Sequence, residues 1–97
     1  MNWMQIYRSR LKKPAEAVAD IASGDCVYVG SGCAVPHDLI RALTDRADDL
    51  QDVEIIHHLT LGEVPYLEPG MKGHFRLNDC FVGANTRAAV NEGRADY

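Results

Sequence analysis

The chain has 97 residues and a mass of 10.7 kDa, with 10 Lys and Arg against 14 Asp and Glu, a formal net charge of −4 and a pI near 5.4. That length allows one small domain or less, and the acidic balance excludes the basic face on which nucleic-acid binding depends. Hydrophobic residues make up 46% of the chain, too many for a disordered segment, and no apolar run approaches the roughly 18 residues of a membrane span.

Asn2 to Leu11 places Trp3, Ile6, Tyr7 and Leu11 near helical spacing, which predicts a short first helix. Pro14 fits the first position of a second helix, where its missing N–H costs nothing. Ala15, Val18, Ile21 and Ala22 carry that helix on, and Gly24 is expected at its left-handed C′ position. Cys26 to Gly30 is apolar on both alternating faces, as in a parallel strand covered on both sides. Cys26 within it reads as a buried small hydrophobe. Pro36 opens the next helix, with Leu39, Ile40, Leu43 and Ala47 as its apolar stripe and Asp38 in its first turn. Val53 to Leu59 is rich in β-branched residues and reads as the second strand.

Gly62 to Gly73 holds Pro65, Pro69 and Gly70 with little periodicity, and reads as an extended loop containing one helical turn. A third strand is expected within Phe75 to Val82. Asn85 is the expected N-cap of a short helix from Thr86 to Glu92, and Gly93 its C′ residue. Ala95 to Tyr97 begins to look extended. Alternating strands and helices with short loops predict an α/β fold, an open and mainly parallel sheet with helices on both faces and right-handed crossovers. Ligands in such folds meet the carboxyl ends of the strands.

Two segments there could carry chemistry. Gly30-Ser31-Gly32, followed by Pro36, joins a strand to a helix start. It reads either as a cradle for a phosphate, carboxylate or thioester oxygen, or as a tight turn with no ligand. The Rossmann and Walker patterns are both unmatched. Arg87 is expected in the first turn of a helix, the unfavourable end for a cation, and reads either as inviting a carboxylate or phosphate partner or as a solvated arginine. His57 and His58 are adjacent on a strand and must face opposite ways. They read as structural or hydrogen-bonding groups rather than as metal ligands, for which three or four such side chains must converge. Cys33 and His37 share one turn, but nothing there specifies a nucleophile–base geometry. Cys26, Cys33 and Cys80 are odd in number and lack C-x-x-C spacing, so a reducing, cytoplasmic setting with free thiols is expected.

The order of these segments resembles a known family. Pro14-Ala15-Glu16-Ala17-Val18 through Ile21 to Asp25, the strand, and Gly30-Ser31-Gly32 to Pro36 are similar to the N-terminal domain of the acetyl-CoA hydrolase/transferase family, in its 4-hydroxybutyrate CoA-transferase-like branch. Val53 to Leu61, His74-Phe75-Arg76, Phe81 to Arg87 and Val90 to Tyr97 continue the resemblance over almost the whole chain. The resemblance implies a sugar-isomerase/CoA-transferase type of fold in a longer protein of two related domains. It implies exchange of CoA between an acyl-CoA and a small carboxylate such as acetate. A C-terminal-domain glutamate would attack the thioester and pass through glutamyl-CoA.

The catalytic C-terminal domain is absent from residues 1–97, and none of Glu54, Glu63, Glu68 and Glu92 matches the nucleophile motif. No catalytic residue is therefore assigned, and the chain is expected to be an N-terminal part, inactive alone. Gly30, Ser31, Gly32, Pro36, Asn85 and Arg87 are expected to face the interdomain cleft as oxyanion or carboxylate contacts. No bound cofactor is expected, with coenzyme A as substrate. The implied partners are an acyl-CoA, a carboxylate, the C-terminal domain and further copies in a homo-oligomer, with no nucleic acid and no membrane. The alternative is a free-standing module that binds a phosphate or nucleotide at the Gly30–Pro36 turn.

Overall fold

The computed structural model describes residues 2–97. Helix α1 spans Trp3–Arg10. Its start is fixed by a capping box, in which the Asn2 side chain accepts from the Gln5 N–H and the Gln5 side chain from the Asn2 N–H, both at 3.0 Å. None of its residues is buried.

Helix α2, Pro14–Ala17, begins at the expected proline but makes only one turn. Beyond it Val18 to Asp20 form a turn, with Ala19 N–H on Glu16 O and Ile21 N–H on Val18 O. The Arg46 guanidinium donates to the carbonyls of Val18 at 2.6 Å and Ile21 at 2.8 Å and holds this turn against the segment around Arg46. Gly24 has the expected positive φ of 83°, yet its N–H is held by Gln51 O. It turns the chain into a strand instead of closing a helix.

Three strands follow: β1, Cys26–Tyr28; β2, Val53–His57; and β3, Phe75–Asp79. They pair in parallel in the order β1-β2-β3. Asp96 adds an isolated parallel bridge to Asn78 beyond β3, where the sequence predicts extended chain. Helix α3, His37–Thr44, follows Pro36 and connects β1 to β2. Two 3-10 turns, Pro65–Leu67 and Pro69–Met71, lie between β2 and β3. Helix α4, Arg87–Asn91, connects β3 to the Asp96 bridge. It ends in a Schellman motif, with Gly93 N–H on Val90 O and Arg94 N–H on Ala89 O.

The α/β class and the open parallel sheet are as expected, but the cover is one-sided. Each step from strand to strand moves the same way across the sheet, and right-handed connections then all fall on one face. Val53, Ile55, Phe75 and Leu77 point into that face and join Ile40, Leu43, Leu50 and Tyr66 in a single core. Their in-strand neighbours Glu54 and Arg76 are exposed on the other face, together with Cys26 and Tyr28 of β1. Cys26 is therefore an exposed thiol beside the Glu54 carboxylate at 3.4 Å, not a core residue. Among the described residues no helix is long and apolar enough to cross a membrane.

Leu77 is fully buried in the last paired strand. Replacing it with alanine removes apolar contacts and leaves a cavity, so Leu77→Ala should lower unfolding stability by about 2–5 kcal/mol. Denaturant unfolding measures this, and a loss well under 1 kcal/mol would mean that this face is not the core.

Candidate functional site

Three loops leave the carboxyl ends of β1, β2 and β3 side by side, and hydrogen bonds tie them into one wall. The first is the Gly30–Gly32 turn. A Cβ on Gly30 would lie 2.9 Å from the Ala34 carbonyl oxygen, so only glycine lets the turn close there. Gly32 N–H donates to Leu59 O at 2.8 Å, and the half-buried Ser31 hydroxyl accepts from Leu59 N–H at 3.5 Å. The turn is thus joined to the loop after β2.

The third loop grips the second. The Asn85 amide donates to the carbonyls of Thr60 at 3.2 Å and Gly62 at 3.0 Å. Asn85 is therefore not the N-cap of α4. That position is Thr86, whose side chain makes no capping bond. Gly83 packs closely beneath, where a Cβ would meet Asn85 Oδ1 at 3.1 Å and Leu59 Cδ1 at 3.2 Å. The His37 ring lies over Gly62, with Cε1 2.9 Å from where a Cβ would stand.

Ser31, Gly32 and Asn85 are thus brought together through residues 59–62, and Pro36 sits at the start of α3 beside His37. Arg87 is exposed on the same edge but makes no side-chain hydrogen bond or ion pair among the described residues. Its dipole rationale does not hold, because α4 has five residues and so short a helix has little macrodipole. The Gly30–Pro36 turn is also less of a cradle than its glycines suggest. A 3-10 turn, Gly32–Ala34, precedes α3, and the N–H groups of Gly32, Ala34 and Val35 are bonded internally.

Behind this wall lies a buried polar cluster. His57 and Asp79 are the last residues of β2 and β3, opposite each other in register. Both side chains are fully buried, with Nδ1 3.2 Å from Oδ1. The Thr86 hydroxyl donates to Asp79 Oδ2 at 2.6 Å. The Tyr66 ring lies against His57, centroids 6.1 Å apart, and Thr60 completes the cluster. Burial pushes the Tyr66 phenol up to about 12, so it stays protonated. Burial also lowers His57 below the ordinary imidazole value and outweighs the opposing charge of Asp79. The adjacent histidines part as strand geometry requires, with His57 inside and His58 exposed near Tyr28. The sequence reading expects a structural or hydrogen-bonding His57; the ring is buried beside Asp79, but neither of its nitrogens makes a hydrogen bond among the described residues, and Asp79 has no place in that reading. The register alone brings the two together: it pairs Val53 with Phe75 and therefore His57 with Asp79, four residues on.

An open parallel α/β domain with its loops gathered at the carboxyl edge defines the general class. Residues 1–97 match the model of the acetyl-CoA hydrolase/transferase N-terminal domain, and the chain belongs to that family. It is 40% identical over its whole length to a 4-hydroxybutyrate coenzyme A transferase of Clostridium kluyveri, 23% of which it covers. It is 33% identical over 93 residues to a succinyl-CoA:cyclohexane-1-carboxylate CoA transferase of Geobacter metallireducens, covering 94% of this chain and 21% of that one. The crystal structure of RipA from Yersinia pestis superposes on the whole chain with a TM-score of 0.86 at 28% identity, over 25% of RipA. A 4-hydroxybutyrate CoA-transferase structure from Porphyromonas gingivalis matches 81% of the chain and 21% of its own, with a TM-score of 0.74 at 30% identity. The chain thus spans about a quarter of the length of these relatives.

His57 yields a pH prediction. The unfolded chain takes up a proton on this ring near pH 6.5, whereas the folded chain does so only at lower pH. The stability from the buried neutral ring is thus complete above about pH 6.5 and is lost as pH falls toward the folded value. Denaturant midpoints should drop between about pH 7.5 and about pH 5.5, and His57→Asn should flatten that slope. An unchanged slope in the variant would mean the ring is not held neutral.

Proposed function

We propose that this chain forms the N-terminal part of an acyl-CoA:carboxylate CoA-transferase of the acetyl-CoA/4-hydroxybutyrate type. The observation that carries the reading is the whole-chain identity of 40% to a 4-hydroxybutyrate coenzyme A transferase. The topology supports it. A parallel sheet binds ligands in a crevice where the strand order reverses, but β1-β2-β3 run without reversal. Their carboxyl-edge loops make one wall, and a further domain is the natural source of the opposing wall.

In this reading a glutamate outside residues 1–97 carries the covalent chemistry. Its carboxylate oxygen attacks the acyl-CoA carbonyl carbon, and the C–S bond breaks to leave an acyl-glutamyl anhydride and CoA thiolate. The thiolate attacks the glutamyl carbonyl, the acyl carboxylate departs, and glutamyl-CoA remains. The acceptor carboxylate then runs the same steps in reverse. The Gly30–Gly32 turn, Pro36, Asn85 and Arg87 line the cleft. Arg87, an exposed cation without an internal partner, attracts the carboxylate substrate. Coenzyme A is a substrate here and not a bound cofactor, and the setting is cytoplasmic acid metabolism.

A transferase assay with acetyl-CoA and 4-hydroxybutyrate tests this. Residues 1–97 alone should give no turnover, and adding a separately expressed C-terminal domain should restore it. Turnover by residues 1–97 alone would refute the division of labour. In the full-length enzyme, Arg87→Ala should raise KM for the carboxylate about tenfold, the effect of losing one charge-assisted hydrogen bond of about 1.5 kcal/mol. An unchanged KM and kcat would remove Arg87 from the site.

A further inference from the structure

We propose that the buried Thr86–Asp79 hydrogen bond, packed against His57, is a latch that positions the third loop of the carboxyl-edge wall and, through Asn85, the second, and that carboxylate-substrate binding depends on it. The inference rests on the transferase reading for its activity readout only.

The Asp79 side chain meets two buried groups but bonds only Thr86. One carboxylate oxygen receives the Thr86 hydroxyl at 2.6 Å, and the other faces His57 Nδ1 at 3.2 Å. Thr86 is 1% exposed and Asp79 1% exposed, while His57 is completely covered. Each member stands next to what it would hold. Thr86 lies between Asn85 and Arg87, at the start of α4. His57 is followed, two and three residues on, by Leu59, which bonds the Gly32 turn, and Thr60, whose carbonyl receives the Asn85 amide. The exposed Asn85 bonds tie the third loop to the second, and the buried Thr86–Asp79 bond holds the third loop from the core side.

A purely packing role does not require this chemistry. The last inward positions of β2 and β3 follow Val53 and Ile55 in one strand and Phe75 and Leu77 in the other. Two more apolar residues there would extend the core at no desolvation cost, whereas a buried carboxylate and imidazole each carry one. What Asp79 gains is a directional hydrogen bond from Thr86, which fixes where α4 begins, while the His57 nitrogens make none among the described residues. The remaining titratable group packed on the pair is Tyr66, from the 3-10 turn Pro65–Leu67. Its phenol is neutral, and among the described residues Asp79 is the one buried carboxylate.

The test uses the full-length enzyme. Thr86→Val keeps the shape of the side chain and removes the hydroxyl, and Thr86→Ser keeps the hydroxyl. Thr86→Val should raise KM for the carboxylate about tenfold with kcat changed less than about threefold, and Thr86→Ser should restore KM to within about twofold. A folded Thr86→Val enzyme with wild-type KM would overturn the latch, and so would a Thr86→Ser enzyme as impaired as the valine variant. If the valine variant fails to fold, Thr86→Ala is read in the same way. Hydrogen exchange supplies a readout independent of activity. In Thr86→Val, amides of residues 59–62 and 83–87 should exchange faster while those of β1–β3 stay protected. Uniform loosening of all three strands, or no change anywhere, would also overturn it. If the wild-type enzyme transfers no CoA, the transferase reading fails, and the exchange measurement still judges the latch.

Discussion

The shape of this molecule follows from one topological constraint. Three parallel strands stand in chain order, and each connection between them must turn the same way. The connections therefore stack on one face, and the core forms beneath them around Val53, Ile55, Leu77, Ile40, Leu43 and Tyr66. The opposite face keeps Tyr28, Glu54 and Arg76 exposed. The same constraint sets the three carboxyl-end loops next to one another. The Gly32–Leu59 bond and the Asn85 bonds to Thr60 and Gly62 are possible only because consecutive strands are neighbours.

Strand alternation explains why the candidate site has a polar floor. Inward positions of β2 read Val53, Ile55, His57, and those of β3 read Phe75, Leu77, Asp79. Both strands change from apolar to ionisable at the same level, one residue before the loops begin. Conflict between a buried position and a polar side chain is characteristic of sites where something other than stability is being set. Thr86 resolves part of that conflict by donating to Asp79. It does so from an element that returns to the sheet after a loop.

Much of the fold was legible locally. Pro14, Pro36 and Gly93 mark helix ends where expected, and Gly24 has its expected positive φ but in a turn into β1, because each residue restricts or widens the backbone choices at its own position. Where the reading went astray, a distant group had intervened. Helix α2 gives way to a turn whose Val18 carbonyl is held by Arg46, 28 residues away in sequence. Asn85 looked like a helix cap, but its amide has better acceptors on the neighbouring loop. Cys26 looked buried because its run is apolar, yet its face of the sheet has no layer over it among the described residues. The two 3-10 turns between β2 and β3, with Tyr66 in the core, were read as an extended loop with one helical turn.

By itself, the sequence determined the elements, their parallel arrangement and the family, since periodicity, turn residues and the order of short motifs are all local or linear properties. Its candidate site residues were likewise those with a local signature: glycines in a turn, a proline, an arginine at a helix start. Only the tertiary structure decided which of them meet. It joined Ser31, Gly32 and Asn85 through the loop after β2, gave Arg87 no side-chain partner among the described residues, and placed Asp79 between His57 and Thr86. The physical reason is that a hydrogen bond between segments more than 20 residues apart depends on strand order and register. Neither is written in the residues that make the bond.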